Sequence, residues 1–274
     1  MFQHRSDQTP FSRALTLSEV VYHAVVRSVR SKHNNAVLAL VINIFQSAMF
    51  VLAFYVLMSV IPGGRTNAVR GDFLLFMMSG VFLFMTHTKT LGAVVGADGP
   101  ASPMMQHAPM NTSVAILSSA IGSLYIQTLS MLVILFVYHA AFQPITIEDP
   151  IGAYGMVLLA WISGAAIGLV LYVIKPWIPG LVSIISMVYQ RSNMFFSGKM
   201  MLAGTLPGYI LPLFVWNPLF HTIDQARGDI FINYTSTVSN WQYTAWVTLI
   251  FGVLGLMGEF YTRRMASASW NARR

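Results

Sequence analysis

Residues 189–230 read YQRSNMFFSGKMMLAGTLPGYILPLFVWNPLFHTIDQARGDI. The stretch is apolar enough to enter a bilayer. Yet Arg191, Gly198, Lys199, Pro207, Gly208, Pro212 and Pro218 interrupt it too often for one straight helix. Non-helical backbone survives at membrane depth only where it is buried in protein or lines a wet cavity. The stretch is therefore expected to build part of a passage rather than a simple span.

The rest of the chain supplies the membrane setting. Of its 274 residues, 55% are hydrophobic and only 9% charged, and the mean hydropathy is +0.63. A soluble domain carries about 25% charge. The expectation is an all-α integral membrane protein with six transmembrane helices, since spans need about 20 residues each. These fall at 36–61, 73–95, 113–142, 151–174, 178–196 and 241–261. No cysteine is present, which removes disulfides, thiolate chemistry and Cys-based metal sites. The first apolar run begins near Ala36 with no small-residue cleavage site after it, so no signal peptide is expected.

One permease domain, 1–274, is expected, with three appended features. Residues 16–32 form a basic amphipathic helix suited to the cytoplasmic interface, started by the capping box Thr16-Leu17-Ser18-Glu19. Residues 96–112 form a Gly/Pro-punctuated loop, where Asp98 or Ser102 caps a short helix around Pro103 to His107. Residues 198–232 form re-entrant half-helices before the last span. Within the spans, Asn43, Gln46 and Ser47 are expected to bond neighbouring helices, at about 0.6 kcal/mol each. Ser118/Gly122, Ser119/Ser123 and Gly164/Gly168 make small-residue faces for close packing. His87 reads as a packed or pore-facing polar group rather than a metal ligand, and Lys89 as snorkelling to the interface.

Six spans place both termini on one side. Eleven of the sixteen Lys and Arg then fall on that side, four (Arg65, Arg70, Lys199, Arg227) on the other, and Arg191 within a span. Positive charge marks the cytoplasm, so both termini are expected there and the broken stretch outside. The net charge of +7 needs no nucleic-acid partner on this reading. The sequence has no P-loop; Ser197-Gly198-Lys199 lacks both the leading glycine and the Mg-holding Ser/Thr. HExxH and GxSxG motifs are missing as well. Glu259 is the one carboxylate well inside a span, and it is expected to pair with Arg263 one turn on. Proton-coupled carriers generally need intramembrane acids, which disfavours an ion-driven carrier.

Ser197-Gly198, then Leu206-Pro207, then Trp216-Asn217-Pro218-Leu219 with His221 and Arg227 keep order and spacing over about forty residues. This pattern resembles the permease subunit of type-2 ABC exporters, and within them the capsular-polysaccharide export branch. Asn43-Ile44-Phe45-Gln46-Ser47 departs from that family, which often has an aromatic and a Glu-Pro early in the first span. The resemblance implies a bacterial inner-membrane homodimer bound to two copies of a separate ATP-binding cassette subunit. ATP and Mg would sit on that partner, and no cofactor or metal on this chain. It further implies passage of a capsular or surface polysaccharide, lipid-linked or not, and contact with periplasmic or outer-membrane export components. ATPase docking would fall to Glu19, Arg27, Arg30, Asp98, Ser102, Met104, Met105 and His107. The substrate path would take Arg191, Phe195, Phe196, Tyr209, Trp216, Asn217, His221 and Arg227. Aromatic faces suit a sliding sugar chain, although most aromatics in such a protein face lipid or the interfacial belt. A buried Arg costs at least about 2.5 kcal/mol, so Arg191 is expected to face the dimer interior, a water path or a helix break. Export of a lipid, drug or other small molecule, and a non-transport structural or sensory role, remain the alternatives.

Overall fold

The computed structural model describes residues 10–31, 36–60, 72–99 and 111–271, with side chains from Thr16 to Val29 (Leu17 excepted) in the first helix and up to Met265 in the last. All regular elements among these residues are helices: α1 Pro10–Ser31, α2 Ala36–Val60, α3 Phe73–Val95, α4 Thr112–Ala141, α5 Pro150–Ile174, α6 Pro179–Phe196, α7 Leu211–Val215, α8 Pro218–Ile230 and α9 Trp241–Asn271. Five of them, α2, α3, α4, α5 and α9, are long and apolar enough to cross a membrane. The helix α6 is shorter, at 18 residues, and carries Gln190, Arg191, Ser192 and Asn193 in its second half. The first helix starts earlier than expected. Pro10 occupies its first position, where a missing N–H costs nothing, so Thr16-Leu17-Ser18-Glu19 lies inside the helix rather than capping it.

Polar residues at the starts explain the other boundaries. The Asp72 carboxylate accepts from Leu74 N at 2.9 Å and opens α3. Asp149 accepts from Ile151 N and Gly152 N at 3.1 and 3.0 Å and opens α5, with Pro150 behind it. Each supplies an acceptor to the orphan N–H groups of a first turn.

The helix α3 is the axis of the molecule. In its most apolar window 89% of residues are buried, against 22% for α9. It packs against α2, α4, α5 and α8. Glycines permit the closest approach: a Cβ on Gly164 of α5 would lie 2.4 Å from the His87 carbonyl oxygen, and one on Gly168 would lie 3.0 Å from that of Leu91. His87 is completely buried at this contact. Its Nδ1 lies 3.1 Å from Ala160 O and 3.0 Å from Ser163 Oγ, and its Nε2 lies 2.9 Å from the Tyr189 hydroxyl. Since a carbonyl only accepts, Nδ1 carries the proton and Nε2 accepts from Tyr189. One imidazole thus joins α3, α5 and α6.

The small-residue face of α4 receives α1: a Cβ on Gly122 would sit 3.4 Å from Val29. Asn43 donates to Ser130 Oγ at 2.9 Å and accepts from Gln127 Nε2 at 3.0 Å, which binds α2 to α4. Lys89 Nζ donates to Gln46 Oε1 at 2.8 Å, from α3 to α2. Glu259 does not follow the expected pairing. Its carboxylate takes the Thr112 hydroxyl at 2.5 Å, while Arg263 donates to Asn111 Oδ1 at 3.4 Å. A helix across the way offers a better-placed donor than the next turn does.

Candidate functional site

Residues 197–230 do not form one helix. Gly198 adopts φ +68°, a left-handed conformation that ends α6 and that an L side chain rarely takes. A Cβ there would also lie 2.6 Å from the Phe220 ring. A short turn at Ala203–Thr205, then α7, then α8 follow. Pro207, Pro212 and Pro218 withhold the N–H groups that a continuous helix needs. The segment is held together by side chains instead.

Asn217 is the first tie. Its Nδ2 donates to Phe196 O at 2.9 Å and to Asn193 Oδ1 at 2.8 Å, and its Oδ1 accepts from Leu219 N at 3.0 Å. One side chain satisfies an orphan carbonyl at the end of α6 and an orphan N–H at the start of α8. An aspartate has no donor for the first job, and an alanine offers neither. Pro218 then occupies the first position of α8.

Arg227 is the second tie. It is fully buried on α8. Nη1 donates to Gly198 O at 2.9 Å and Met201 O at 2.7 Å, and Nη2 to Lys199 O at 2.5 Å. Its guanidinium lies 3.9 Å from the centre of the Phe76 ring, a cation–π contact with α3. Three carbonyls of the turn after α6 thus point at one planar cation. Gly80 on α3 makes the space: a Cβ there would lie 2.6 Å from Lys199 O and 2.9 Å from Arg227 Nη2.

Asp224, one turn before Arg227, gathers the other side. It accepts from the Tyr234 hydroxyl and Ser236 Oγ at 2.5 Å each, from Ser239 Oγ at 2.8 Å and from Ala203 N at 3.4 Å. His221 Nε2 donates to Val215 O at 2.8 Å, and its Nδ1 accepts from Asn240 N at 3.0 Å. Burial holds this imidazole below its ordinary pKa. Residues 231–240 are thereby bound down onto α8. The helix itself is buried nearly all round, against α3, α5 and α9, rather than lying amphipathic on a surface.

Lys199 is the group that the sequence does not disclose. Charge counting gives it a side of the membrane but not its burial: it is 1% exposed. Its Nζ has no hydrogen-bond partner among the described residues. It sits 3.6 Å from the Phe84 ring centre, 4.4 Å from Phe54 and 5.9 Å from Phe50. The signal was the i, i+4 spacing of Phe50 and Phe54 on the first span, which resembles any packed aromatic pair. Asn193, Asp224 and Gly80 were passed over for the same reason.

The expected substrate-path residues divide in two. Asn217, half-buried, and His221 and Arg227, buried, come together in the network just described. Arg191 is exposed on α6, and the buried cations of this region are Lys199 and Arg227. Phe195 is 68% exposed, Tyr209 81%, Trp216 82% and Phe196 40%, so these rings are available to something outside the single chain. Of the expected docking residues, Glu19, Arg27 and Asp98 are exposed. The side chain of Arg30, and Ser102, Met104, Met105 and His107 altogether, lie outside the described residues. Among the described residues no three His, Asp or Glu group at metal-binding distance.

Fold and site define the class coarsely: a helical membrane protein whose fourth and fifth apolar helices, α5 and α9, bracket a bent, polar-tied insertion. No protein-family model and no curated protein matches the chain.

Proposed function

We propose that this chain is the membrane-spanning subunit of an ATP-driven exporter of the type-2 ABC class, moving a capsular or surface polysaccharide. One observation carries the reading. The motif residues spread from Ser197 to Arg227 meet in one interlocked unit: Gly198 shapes the turn, Asn217 joins its two flanking helices, and Arg227 clamps its carbonyls. A motif kept for a shared architecture should converge in this way. In this reading α6 is the sixth span; its 18 residues reach about 27 Å, close to the hydrocarbon thickness. The segment 198–232 is then the exterior end of the path, and Tyr209 and Trp216 stand at its rim. The exposed apolar surface of α2 and α6 meets a second copy or lipid. Energy comes from a separate ATPase subunit that holds ATP and Mg and docks on α1 and the loop 96–112. Co-expression with an ATP-binding cassette partner tests this. A complex of two copies of each chain, lost when 96–112 is replaced by a Gly/Ser linker while the protein stays dispersed and helical, supports the reading. A chain that purifies without any ATPase under all conditions contradicts it.

A further inference from the structure

A cavity of about 480 Å³ opens between α1, the start of α2, the end of α3 and the start of α4. It lies far from the 197–230 segment in the chain, and the export reading uses only Arg27 and Asp98 of its wall, as docking residues, and gives its interior no ligand. These helix ends share one side of the bundle, because α2 starts, α3 ends and α4 starts there. Lys89 stands six residues, about 9 Å, inside the end of α3. From there the long Lys89 side chain reaches the headgroup level by extending toward the helix end.

The walls mix polar side chains with small apolar ones. Arg27 and Lys89 bring two cations, and Asp98 is the one carboxylate among the described lining residues. Gln46 holds Lys89 Nζ at 2.8 Å. Behind them the Asn43–Gln127 amide pair forms a polar floor whose own bonds are made within the protein. The space is far larger than the roughly 15 Å³ that one water needs. One edge of the cavity is Ile42 of α2. Leu38, Phe45 and Met49 share its helical stripe and are 49%, 65% and 47% exposed. The chamber that holds the two cations thus runs into an open apolar stripe.

The geometry points to a binding site for the phosphate headgroup of an anionic phospholipid, with the phosphate between Arg27 and Lys89 and an acyl chain along Leu38, Phe45 and Met49. Basic pockets between spans at the membrane surface take such headgroups. A guanidinium matches a phosphate through two parallel donors, and an ammonium adds a point charge. A free phosphate ester would satisfy the cations but leave the apolar stripe unused, so the lipid is the fitting source. Occupation would also fill the wedge between the interfacial helix α1 and the spans, fixing α1 in place. The inference rests on the cavity and on the membrane character of the bundle, not on polysaccharide export.

Delipidated full-length protein in detergent is titrated with phosphatidylglycerol, with phosphatidylcholine and with soluble glycerol 3-phosphate, and bound lipid is counted by native mass spectrometry. Wild type should retain phosphatidylglycerol over phosphatidylcholine. Arg27→Gln should weaken retention about fivefold, and Arg27→Gln with Lys89→Gln by more than tenfold, since each cation near a lipid phosphate contributes about that factor. Arg263→Gln, an exposed cation toward the same side, should leave it unchanged. Arg27 is exposed, so its single variant keeps the fold and serves even if the double variant does not. Equal retention of both lipids, unchanged retention in Arg27→Gln, or an equal loss in Arg263→Gln overturns the site. Displacement of the lipid by equimolar glycerol 3-phosphate overturns the lipid as its source.

Discussion

Asn217, half-buried, and Lys199, buried, use their polar groups in opposite ways. Asn217 uses its donors and its acceptor to close two helix ends. Replacing it with Asp keeps the N-cap but sets a carboxylate against the Asn193 oxygen and the Phe196 carbonyl. Two hydrogen bonds at about 1 kcal/mol each are lost, so Asn217→Asp should destabilise the protein by about 2 kcal/mol. A lowered midpoint in a thermal melt of the detergent-solubilised protein checks this. Lys199 presents the reverse case. Its amine lies over aromatic faces with no oxygen acceptor. Lys199→Met keeps the length and volume and removes a buried unpaired polar group. It should be neutral or stabilising by on the order of 1 kcal/mol, and a melting midpoint lower than wild type would refute the aromatic placement. Neither residue's role could be taken from its type. An Asn-Pro pair suits a helix start, but the bond of Asn217 to Phe196 needs the turn at Gly198 to bring α6 back. Charge counting assigns the Lys199 loop to a side and says nothing of its burial, which follows from Arg227 drawing the loop's carbonyls onto α8.

At the scale of elements, the small-residue faces were legible and their partners were not. The Gly164/Gly168 pattern marked α5 for close packing, and the structure supplies α3 as the neighbour, with His87 and Leu91 carbonyls against it. Gly164→Ala should therefore force α3 and α5 apart. An overpacked contact of this kind costs about 1–3 kcal/mol, which appears as a lower melting midpoint with a normal helical circular-dichroism spectrum. A second element contact predicts a pH dependence. Asp149, the cap of α5, and Asp229 of α8 crowd the same point above Gly152, and Asp149 N donates to Asp229 O at 2.8 Å. Burial first, and the Asp149 charge second, push the Asp229 carboxyl up. A carboxyl raised in the fold favours the fold while protonated and loses that advantage as pH rises through its folded pKa. Asp229→Asn should thus melt higher than wild type at pH 7, and the gain should vanish on acidification below about pH 4, the ordinary carboxylate range. A gain that persists or grows toward low pH would contradict the crowding.

At the scale of the molecule, the class was written in composition: continuous uncharged runs of about 20 residues or more satisfy their backbone in a bilayer as helices, barrel strands being shorter and alternating. Span limits set by Asp, Asn and Pro caps were readable for the same local reason, as in Asp149-Pro150 and Asn217-Pro218. Which helix sits at the centre was not. The most buried helix, α3, is among the least hydropathic of the five, since its Ser, Thr and His side chains are matched to neighbours rather than to lipid. Hydropathy does not rank burial among the five: α9, nearly as low as α3, is the least buried. The first helix likewise began at a proline rather than at a convincing capping box, because a box also fits inside a helix when its carboxylate points to solvent.

The export function belongs to this largest scale, since it joins the bent segment, the exposed rim rings and a partner ATPase into one claim. Its most direct test is surface polysaccharide in a strain lacking this chain. Loss of the surface polymer, its accumulation inside the cell, and restoration of both by wild type are the predicted result. A deletion strain that displays its normal polysaccharide would contradict the account.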